Sequence, residues 1–187
     1  MNFCSHCGAP VRLSVPEGDN RERHVCDQCD RIHYINPNIV AGTLPYHEGK
    51  ILLCRRAIEP RKGYWTLPAG FMEMNESTEE AALRETLEEA CAEAEVGPLL
   101  SMISVPQIGQ VHIFYLASLK TGQFAPGEES LEVALFAPDE IPWDDIAFHT
   151  VRKTLRFFIN QNCEFNGRPL SGVIRIPEDR ATKLQSG

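Results

Sequence analysis

Residues 70–95 read GFMEMNESTEEAALRETLEEACAEAE, and this stretch decides how the rest of the chain is interpreted. Between Glu73 and Glu95 it contains nine glutamates but only one basic residue, Arg84. Like charges placed this closely on one element repel each other. The functional interpretation therefore starts from the question of what makes this repulsion tolerable.

The acidic stretch carries the signals of a helix start. Ser77 is followed three residues later by Glu80, which is the capping-box pattern, in which each side chain can bond the other residue's backbone N–H. The residues that follow are good helix formers, and neither Gly nor Pro occurs again before Gly97. We therefore predict a helix from Ser77 to Ala90.

The helical period divides this segment into two sides. Leu83 and Leu87 lie along one side, whereas Glu85, Glu88 and Glu89 cluster on another at spacings of three and four. A solvated helix face is the commonest use of such a charge run, but it normally interleaves several basic residues, which this segment lacks. Oxygen ligands on a rigid element suit Mg²⁺ or Mn²⁺. The carboxylates therefore predict a divalent-cation site.

Strand and turn patterns surround the acidic helix. Residues 38–56, NIVAGTLPYHEGKILLCRR, contain two apolar runs joined at Glu48-Gly49 and predict a hairpin. TLPAGFME predicts a short strand that runs into the acidic segment, and LLSMISV, VHIFYLASL and VALFA predict further strands. Residues 144–161, DDIAFHTVRKTLRFFINQ, show helical spacing and predict a second helix.

Residues 1–36 are interpreted as a separate module. CSHC and CDQC contribute Cys4, Cys7, Cys26 and Cys29 at the spacing of two metal-holding turns. Four thiolates around zinc leave no open coordination position, so we predict a structural Zn²⁺ rather than a catalytic ion. A segment this short cannot bury enough apolar surface to be stable alone, which makes zinc the expected source of its stability.

Composition and charge limit the classes of function. The 187 residues are 43% hydrophobic with a formal net charge of -8, which argues against nucleic acid as a partner. Residues 1–36 carry four arginines against five acidic residues, so no basic face is evident there. The sequence shows no secretory signal and no run of eighteen apolar residues, so we expect a cytoplasmic protein with no membrane partner. We expect the remaining single cysteines to be reduced: Cys54, Cys91 and Cys163.

The acidic helix resembles a known family motif. Gly70, five residues, Glu76, seven residues and then RETLEE at residues 84–89 match the Nudix box, G-x5-E-x7-R-E-U-x-E-E-x-G-U with U apolar. The resemblance implies an α/β fold, the Nudix-type α/β/α sandwich with a mixed sheet, in residues 37–165. Residues 166–187 are then expected to form a partly disordered C-terminal extension.

Three positions depart from the motif. Thr86 and Ala92 stand at apolar sites, and Cys91 replaces the second glycine. That glycine follows the helix end, where a left-handed conformation is often needed, and a residue with a Cβ costs on the order of 1 kcal/mol there. All the carboxylates are retained, so the departures concern the local backbone more than the chemistry.

The resemblance also implies a reaction and a set of metal ligands. Nudix enzymes hydrolyse a nucleoside diphosphate linked to another group, using bound divalent ions to neutralise the diphosphate and activate water. Glu85 and Glu89 would be the main ligands of Mg²⁺ or Mn²⁺. Glu88 would be a further ligand or a water-orienting carboxylate, and the Ala69 carbonyl a backbone ligand.

Two further roles follow from the same resemblance. Arg84 would hold a glutamate of the box in place, with Glu76 the expected partner. One more acidic residue commonly comes from a downstream loop, where GEESLEVALF offers Glu128, Glu129 and Glu132. We select Glu129 among them, and the general base is either this residue or a glutamate of the box.

Two branches of the family combine a four-cysteine ribbon with a Nudix domain. NADH pyrophosphatases carry a Ser-Gln-Pro-Trp-Pro-Phe-Pro run after the box, which is absent here. The shorter zinc-ribbon enzymes act on FAD and ADP-ribose. We therefore expect release of AMP from ADP-ribose or FAD. An NADH pyrophosphatase, an RNA-cap hydrolase and a non-catalytic nucleotide-binding regulator are the alternatives.

Side chains for the rest of the substrate are nominated by type. Four basic residues could meet phosphates, with a solvated loop as the alternative: Arg55, Arg56, Arg61 and Lys62. Four aromatic residues could stack on a planar ring, although core packing is their commoner use: Tyr64, Trp65, Phe71 and Tyr115. The expected partners are a small-molecule nucleotide and a second copy of the chain in a homodimer, which the ribbon supports unless it packs on the Nudix domain.

Overall fold

The computed structural model describes residues 1–175, and the chain divides into two compact units, Met1–Asn36 and Pro37–Gly187. Each unit contains its own sheet. Within the described range, no helix has the length and apolar character needed to cross a membrane.

The first unit is an antiparallel sheet of three short strands, β1 (Val11–Ser14), β2 (Arg23–Cys26) and β3 (Ile32–His33). The polar insert between the two cysteine pairs forms the β1–β2 hairpin. One pair lies before β1 and the other at the turn between β2 and β3, so the hairpin brings the two pairs together. Few residues of this unit are buried: Cys4, Val25, Cys26 and His33.

The second unit consists of eight strands and two helices. The strands are β4 (Asn38–His47), β5 (Lys50–Arg56), β6 (Trp65–Thr66), β7 (Ala69–Phe71), β8 (Ala94–Val105), β9 (Gln110–Leu119), β10 (Ser130–Phe136) and β11 (Leu170–Val173). The helices are α1 (Thr78–Ala90) and α2 (His149–Ile159). Short 3₁₀ turns lie at Pro106–Ile108 and Trp143–Asp145.

These eight strands form one mixed sheet in the order β10-β5-β4-β9-β8-β11, with β6 paired to β5 and β7 paired to β4. The β4–β9 and β8–β11 pairs are parallel and the others are antiparallel. The predicted hairpin at Glu48-Gly49 is confirmed, because Tyr46 pairs with Ile51 across it. Part of the expected C-terminal extension is a strand, β11, while residues 176–187 lie outside the described residues.

The sheet is covered on both faces, as the α/β/α prediction requires. Alternate residues of a strand face opposite sides. Ala41 and Tyr115 pack against α1, whereas Leu44 and Phe114 lie in the cluster that contains the buried side of α2. The helical spacing predicted for the second helix is confirmed by its buried residues in that cluster: Val151, Leu155 and Phe158.

The first helix begins as predicted, since Ser77 is its N-cap and both hydrogen bonds of the capping box with Glu80 are present. Its packing surface, however, consists of small side chains rather than leucines, and Leu87 is 52% exposed. Thr86 is fully buried, and its hydroxyl lies 2.6 Å from that of Thr43 on β4. A polar residue is therefore stable at this apolar position of the box because it has a partner on the sheet.

Candidate active site

Arg84 lies at the centre of a network of charged groups and contacts three glutamates. Its Nε and Nη2 donate to the two carboxylate oxygens of Glu76 at 3.0 and 2.8 Å, which is a bidentate ion pair. Its Nη1 donates to Glu85 at 2.7 Å and to Glu88 at 3.0 Å, and Nη2 also reaches the Phe71 carbonyl. The Arg84 contact lowers the pKa of Glu76 to about 2. One guanidinium thus neutralises part of the acidic segment.

Glu85 turns its carboxylate inward beneath β7. The residue is 9% exposed, and burial raises its pKa although Arg84 opposes the rise. A Cβ at Gly70 would overlap this carboxylate, so the first glycine of the box leaves the space that Glu85 occupies. The glycine is needed here for the close approach of a side chain to the backbone rather than for an unusual turn.

Glu89 is the most deeply buried carboxylate of the site, at 6% exposure. Its carboxylate accepts a hydrogen bond from the Ala69 backbone N–H at 3.3 Å. Among the described residues, no arginine, lysine or histidine forms an ion pair with it. Burial, followed by repulsion from Glu85, raises the pKa of Glu89 to about 8. Burial of such a group is costly unless a positive charge reaches it.

The loop before β10 is attached to the end of α1. The backbone N–H groups of Ala125 and Gly127 donate to the carbonyls of Ala90 and Glu89 at 2.9 and 3.1 Å. A Cβ at Gly127 would overlap the Glu88 carbonyl, so only glycine permits this approach. The contact brings Glu129 into the site, where its charge raises the pKa values of Glu85 and Glu89 after the larger effect of burial.

These groups line a cleft of about 1310 Å³ in the second unit. Its acidic wall contains Arg84 and the glutamates predicted from the sequence, together with Ala69: Glu85, Glu88, Glu89 and Glu129. Arg56, at the end of β5, also lines the cleft. Its Nε donates to the Pro60 carbonyl at 2.8 Å, and its guanidinium lies 5.1 Å from the centre of the Phe148 ring. Arg56 is thus held in position facing the cleft.

The nominated basic residues differ in their placement. Arg56 and Arg61 line the cleft. Arg55 instead forms an ion pair with Glu132 at 3.5 Å and donates to the Gly63 carbonyl. Lys62 is not among the lining residues.

The nominated aromatic residues differ as well. Phe71 is 54% exposed and lines the cleft. Trp65 is buried in an edge-to-face contact with Phe136, and Tyr115 is buried with its hydroxyl 2.7 Å from that of Thr78. Core packing is therefore the use of both rings. Tyr64 is not among the lining residues, and the centre of its ring lies 5.4 Å from the Arg61 guanidinium.

Sequence reasoning missed a neutral polar group in the same cleft. His112 Nδ1 lies 3.0 Å from the hydroxyl of Thr150, and its Nε2 lies 2.9 Å from Oε1 of Gln110. Burial lowers the pKa of His112 to about 4, so the ring is uncharged at neutral pH. A single histidine in an apolar strand gives no sequence signal of this kind, because its partners depend on which strands and helices meet.

The four cysteines of the first unit converge. Their Sγ atoms all lie within 4.8 Å of one another, with Cys7 to Cys26 at 3.4 Å and Cys4 to Cys29 at 3.8 Å. Tetrahedral zinc with bonds of about 2.3 Å requires sulfur separations of about 3.8 Å, so the cluster fits this ion. The backbone N–H of Cys29, followed by that of Gln28, lowers the pKa of Cys26 to about 6, which favours the thiolate.

His33, which the sequence did not single out, contacts this cluster. Its Nε2 lies 3.2 Å from Cys4 Sγ. Among the described residues, these four cysteines form the one group of at least three His, Cys, Asp or Glu side chains whose ligand atoms lie close enough to share a metal ion. The glutamates of the cleft do not form such a group, because Arg84 lies between Glu85 and Glu88 and the carboxylate of Glu89 is turned to the Ala69 amide.

Comparison with protein families agrees with both units. The model described as NUDIX domain matches residues 37–156, and the model described as Nudix N-terminal, a zinc ribbon, matches residues 2–35. A solved structure of a NUDIX hydrolase from Nitrosomonas europaea superposes with a TM-score of 0.89 at 47% identity, covering 94% of this chain and 100% of that one.

Curated relatives have enzyme names. An ADP-ribose pyrophosphatase from Methanocaldococcus jannaschii is 30% identical over 58% of this chain and 67% of that protein. A NAD-capped RNA hydrolase NudC from Chromobacterium violaceum is 30% identical over 75% of this chain. The chain spans about half the length of that NudC protein, 51% of it.

Proposed function

This chain belongs to the Nudix family of hydrolases, and on that premise we propose that it hydrolyses the phosphoanhydride of a nucleoside diphosphate derivative, ADP-ribose or FAD, to release AMP. Water adds to one phosphorus atom, the bridging P–O bond breaks, and two phosphate monoesters leave. From ADP-ribose the second product is ribose 5-phosphate, and from FAD it is FMN.

Glu89 is the observation that carries this proposal. Its carboxylate is buried at the floor of an open cleft without a basic partner among the described residues, beside Glu85, whose single basic partner is Arg84. Two adjacent buried carboxylates with raised pKa values favour a bound cation over a solvated surface. A site that only needed stability would place an apolar pair here.

The donor set fits Mg²⁺ or Mn²⁺, since every candidate ligand atom is an oxygen. Glu85, Glu89, Glu88 and the Ala69 carbonyl would hold the ions. When bound, such ions screen the phosphoryl oxygens and lower the pKa of coordinated water.

Residues around the carboxylates complete the assignment. Arg56 faces the cleft with its guanidinium fixed by Pro60 and Phe148, which suits it to bind a phosphate of the substrate. Arg84 orients Glu76, Glu85 and Glu88 in addition to neutralising them. We assign Glu129 as the residue that accepts the proton of the attacking water, because it is brought to the site by the loop attached to α1.

A substrate competition tests the proposal. ADP-ribose, FAD and NADH at equal concentration, with Mg²⁺ or Mn²⁺, should give AMP from ADP-ribose or FAD first. The absence of AMP from all three with either ion would refute it. Glu129→Gln should lower kcat by roughly 10²-fold while leaving KM within a few fold, the effect expected of a general base.

The NudC relatives favour a second candidate, hydrolysis of NADH or NAD-capped RNA. The Ser-Gln-Pro-Trp-Pro-Phe-Pro run of NADH pyrophosphatases is absent from this chain, which counts against that candidate. NADH is already one arm of the competition. A NAD-capped oligonucleotide is the further arm, and its hydrolysis in preference to ADP-ribose would select the second candidate.

We propose further that Zn²⁺ occupies the cysteine cluster and that the enzyme works in the cytoplasm as a homodimer. All seven cysteines are free, which suits a reducing compartment. The first unit exposes several large apolar side chains at 56–63%, more than a small polar module needs: Phe3, Val15, Leu13, Tyr34 and Ile35. Metal analysis and mass measurement in solution, with and without residues 1–36, test these assignments. A zinc-free protein or a full-length monomer would contradict them.

A further inference from the structure

The floor of the cleft extends well beyond the carboxylates. Strand register pairs Val40 on β4 with His112 on β9, and Gln110 on β9 with Val105 on β8. Ile174 lies directly after β11 and extends this surface by one more strand. Its backbone N–H donates to the carbonyl of Ser104 on β8 at 2.9 Å. From β7, beside Glu85, to β11 there are four strand spacings, about 19 Å at 4.8 Å each. A diphosphate spans only a few bonds, so most of this length must accommodate another part of the substrate.

The part of the cleft away from the glutamates differs sharply in character. We call it the neutral end, and it is formed by Val40, Val105, Ile108, Gln110, His112 and Ile174. Four of these side chains are aliphatic, and none of the six carries a charge at neutral pH, because His112 is buried in its uncharged form. Such a surface favours an uncharged group with apolar faces over a sugar phosphate or an anion.

The polar atoms of the neutral end are ordered by a chain of hydrogen bonds. In neutral His112, Nε2–H donates to Oε1 of Gln110, and Nδ1 accepts from the hydroxyl of Thr150. This bond turns Oε1 of Gln110 toward His112, and among the described residues the amide NH₂ has no hydrogen-bond partner, so it is the donor available to a ligand. The helix α2, through Thr150, thus fixes the orientation of an amide on β9.

We propose, as a consequence of the pyrophosphatase function assigned above, that the neutral end binds the uncharged planar heterocycle of the substrate, a nucleobase or a ring of similar size. The Gln110 amide donates to a ring nitrogen or carbonyl, and Ile174 of the C-terminal segment packs against the ring. Ile174, which directly follows the C-terminal strand, is therefore part of the specificity site.

Steady-state kinetics on a matched pair of diphosphates tests this assignment. ADP-ribose carries a base, and bis-ribosyl diphosphate carries the same diphosphate without one. Gln110→Leu should raise KM for ADP-ribose at least tenfold more than KM for the base-free compound, with kcat changed by less than twofold. Ile174→Ala should raise the same KM ratio about threefold, since it removes part of one apolar contact.

Val173→Ala is the matched control, because Val173 is the neighbour of Ile174 and is 51% exposed. It should alter neither KM. Equal effects of Gln110→Leu on the two substrates, or no effect on either, would overturn the proposal.

Titration of AMP into the protein by calorimetry separates this inference from the assignment of the reaction. If the wild type hydrolyses neither diphosphate, the pyrophosphatase function fails, but weaker AMP binding by Gln110→Leu would still support the neutral end as a base site. AMP affinity that is unchanged in Gln110→Leu would refute the base site whether or not the enzyme is active.

Discussion

The cysteine cluster and the acidic cleft are the two proposed metal sites of the chain, yet their surroundings are opposite. In the first unit two of the four ligands, Cys4 and Cys26, are among the few buried residues, and all four Sγ atoms lie within 4.8 Å of one another. In the second unit two clusters of buried apolar side chains hold α1 against the sheet, and Arg84 lies between the carboxylates of Glu85 and Glu88. On the assignments proposed above, a metal substitutes for a core in the first unit, whereas in the second unit the packing of α1 positions ligands for a metal.

The largest effect expected from this comparison is loss of the entire fold of the first unit when its metal is removed. Cys26→Ser should abolish zinc binding and with it a stabilisation of about 10 kcal/mol, the usual size for structural zinc. Hydrogen exchange should then show residues 1–36 unprotected and the strands of the second unit unchanged. Cys91→Ser is the control, since Cys91 is exposed and outside the cluster. A first unit that stays protected without zinc would break the comparison.

Removal of a proposed metal ligand in the second unit should lower activity and leave folding intact. Glu89→Gln should lower kcat/KM by roughly 10³-fold, about 4 kcal/mol, because it removes a proposed ligand of the divalent ions. The Tm measured without divalent ions should stay equal or rise, because a buried carboxylate with a raised pKa becomes neutral. Glu93→Gln, an exposed change just beyond the helix, should retain full activity. A large fall in Tm for Glu89→Gln would mean that the carboxylate serves the core.

The sequence predicted features that depend on local spacing. These include the capping box at Ser77, the hairpin at Glu48-Gly49 and the mixed sheet implied by the Nudix box, all of which are present. It could not predict that Leu87 would be exposed while Thr86 is buried, because that choice depends on the Thr43 hydroxyl on a distant strand.

The site shows the same limit. The acidic residues could be nominated because they recur on one helix, but the Gln110–His112–Thr150 chain joins one strand to a helix nearly forty positions later. The role of Gly127 is also invisible in the sequence, since it follows from the approach of a loop to the end of α1. Contacts of this kind arise only when separate elements pack.

A smaller effect concerns pH and the core of the second unit. His112 has a pKa of about 4 in the folded chain against 6.5 as the unperturbed value, so it contributes stability above pH 6.5 that is lost as the pH falls toward 4. Between pH 7 and pH 5 this loss amounts to about 2 kcal/mol. Denaturant unfolding at both pH values should show it in the wild type, and His112→Gln should remove that part of the pH dependence. An identical pH dependence in the two proteins would show that the folded chain accommodates the charged ring.

The smallest expected effect is a change in stability at Cys91. The four clustered cysteines matter for their sulfur atoms, whereas Cys91 matters for its backbone conformation. Cys91 ends α1 with φ 46°, in the left-handed region, at the position where the Nudix box has glycine. Cys91→Gly should raise the free energy of unfolding by up to about 1 kcal/mol, because the Cβ strain is relieved. Cys91→Ala keeps the Cβ and should give no gain, which makes it the matched control in denaturant titrations. Equal gains from both substitutions would show that the thiol, and not the backbone, sets the stability effect at Cys91. Cys91 would then resemble the four cysteines of the first unit, whose sulfur atoms are what matters.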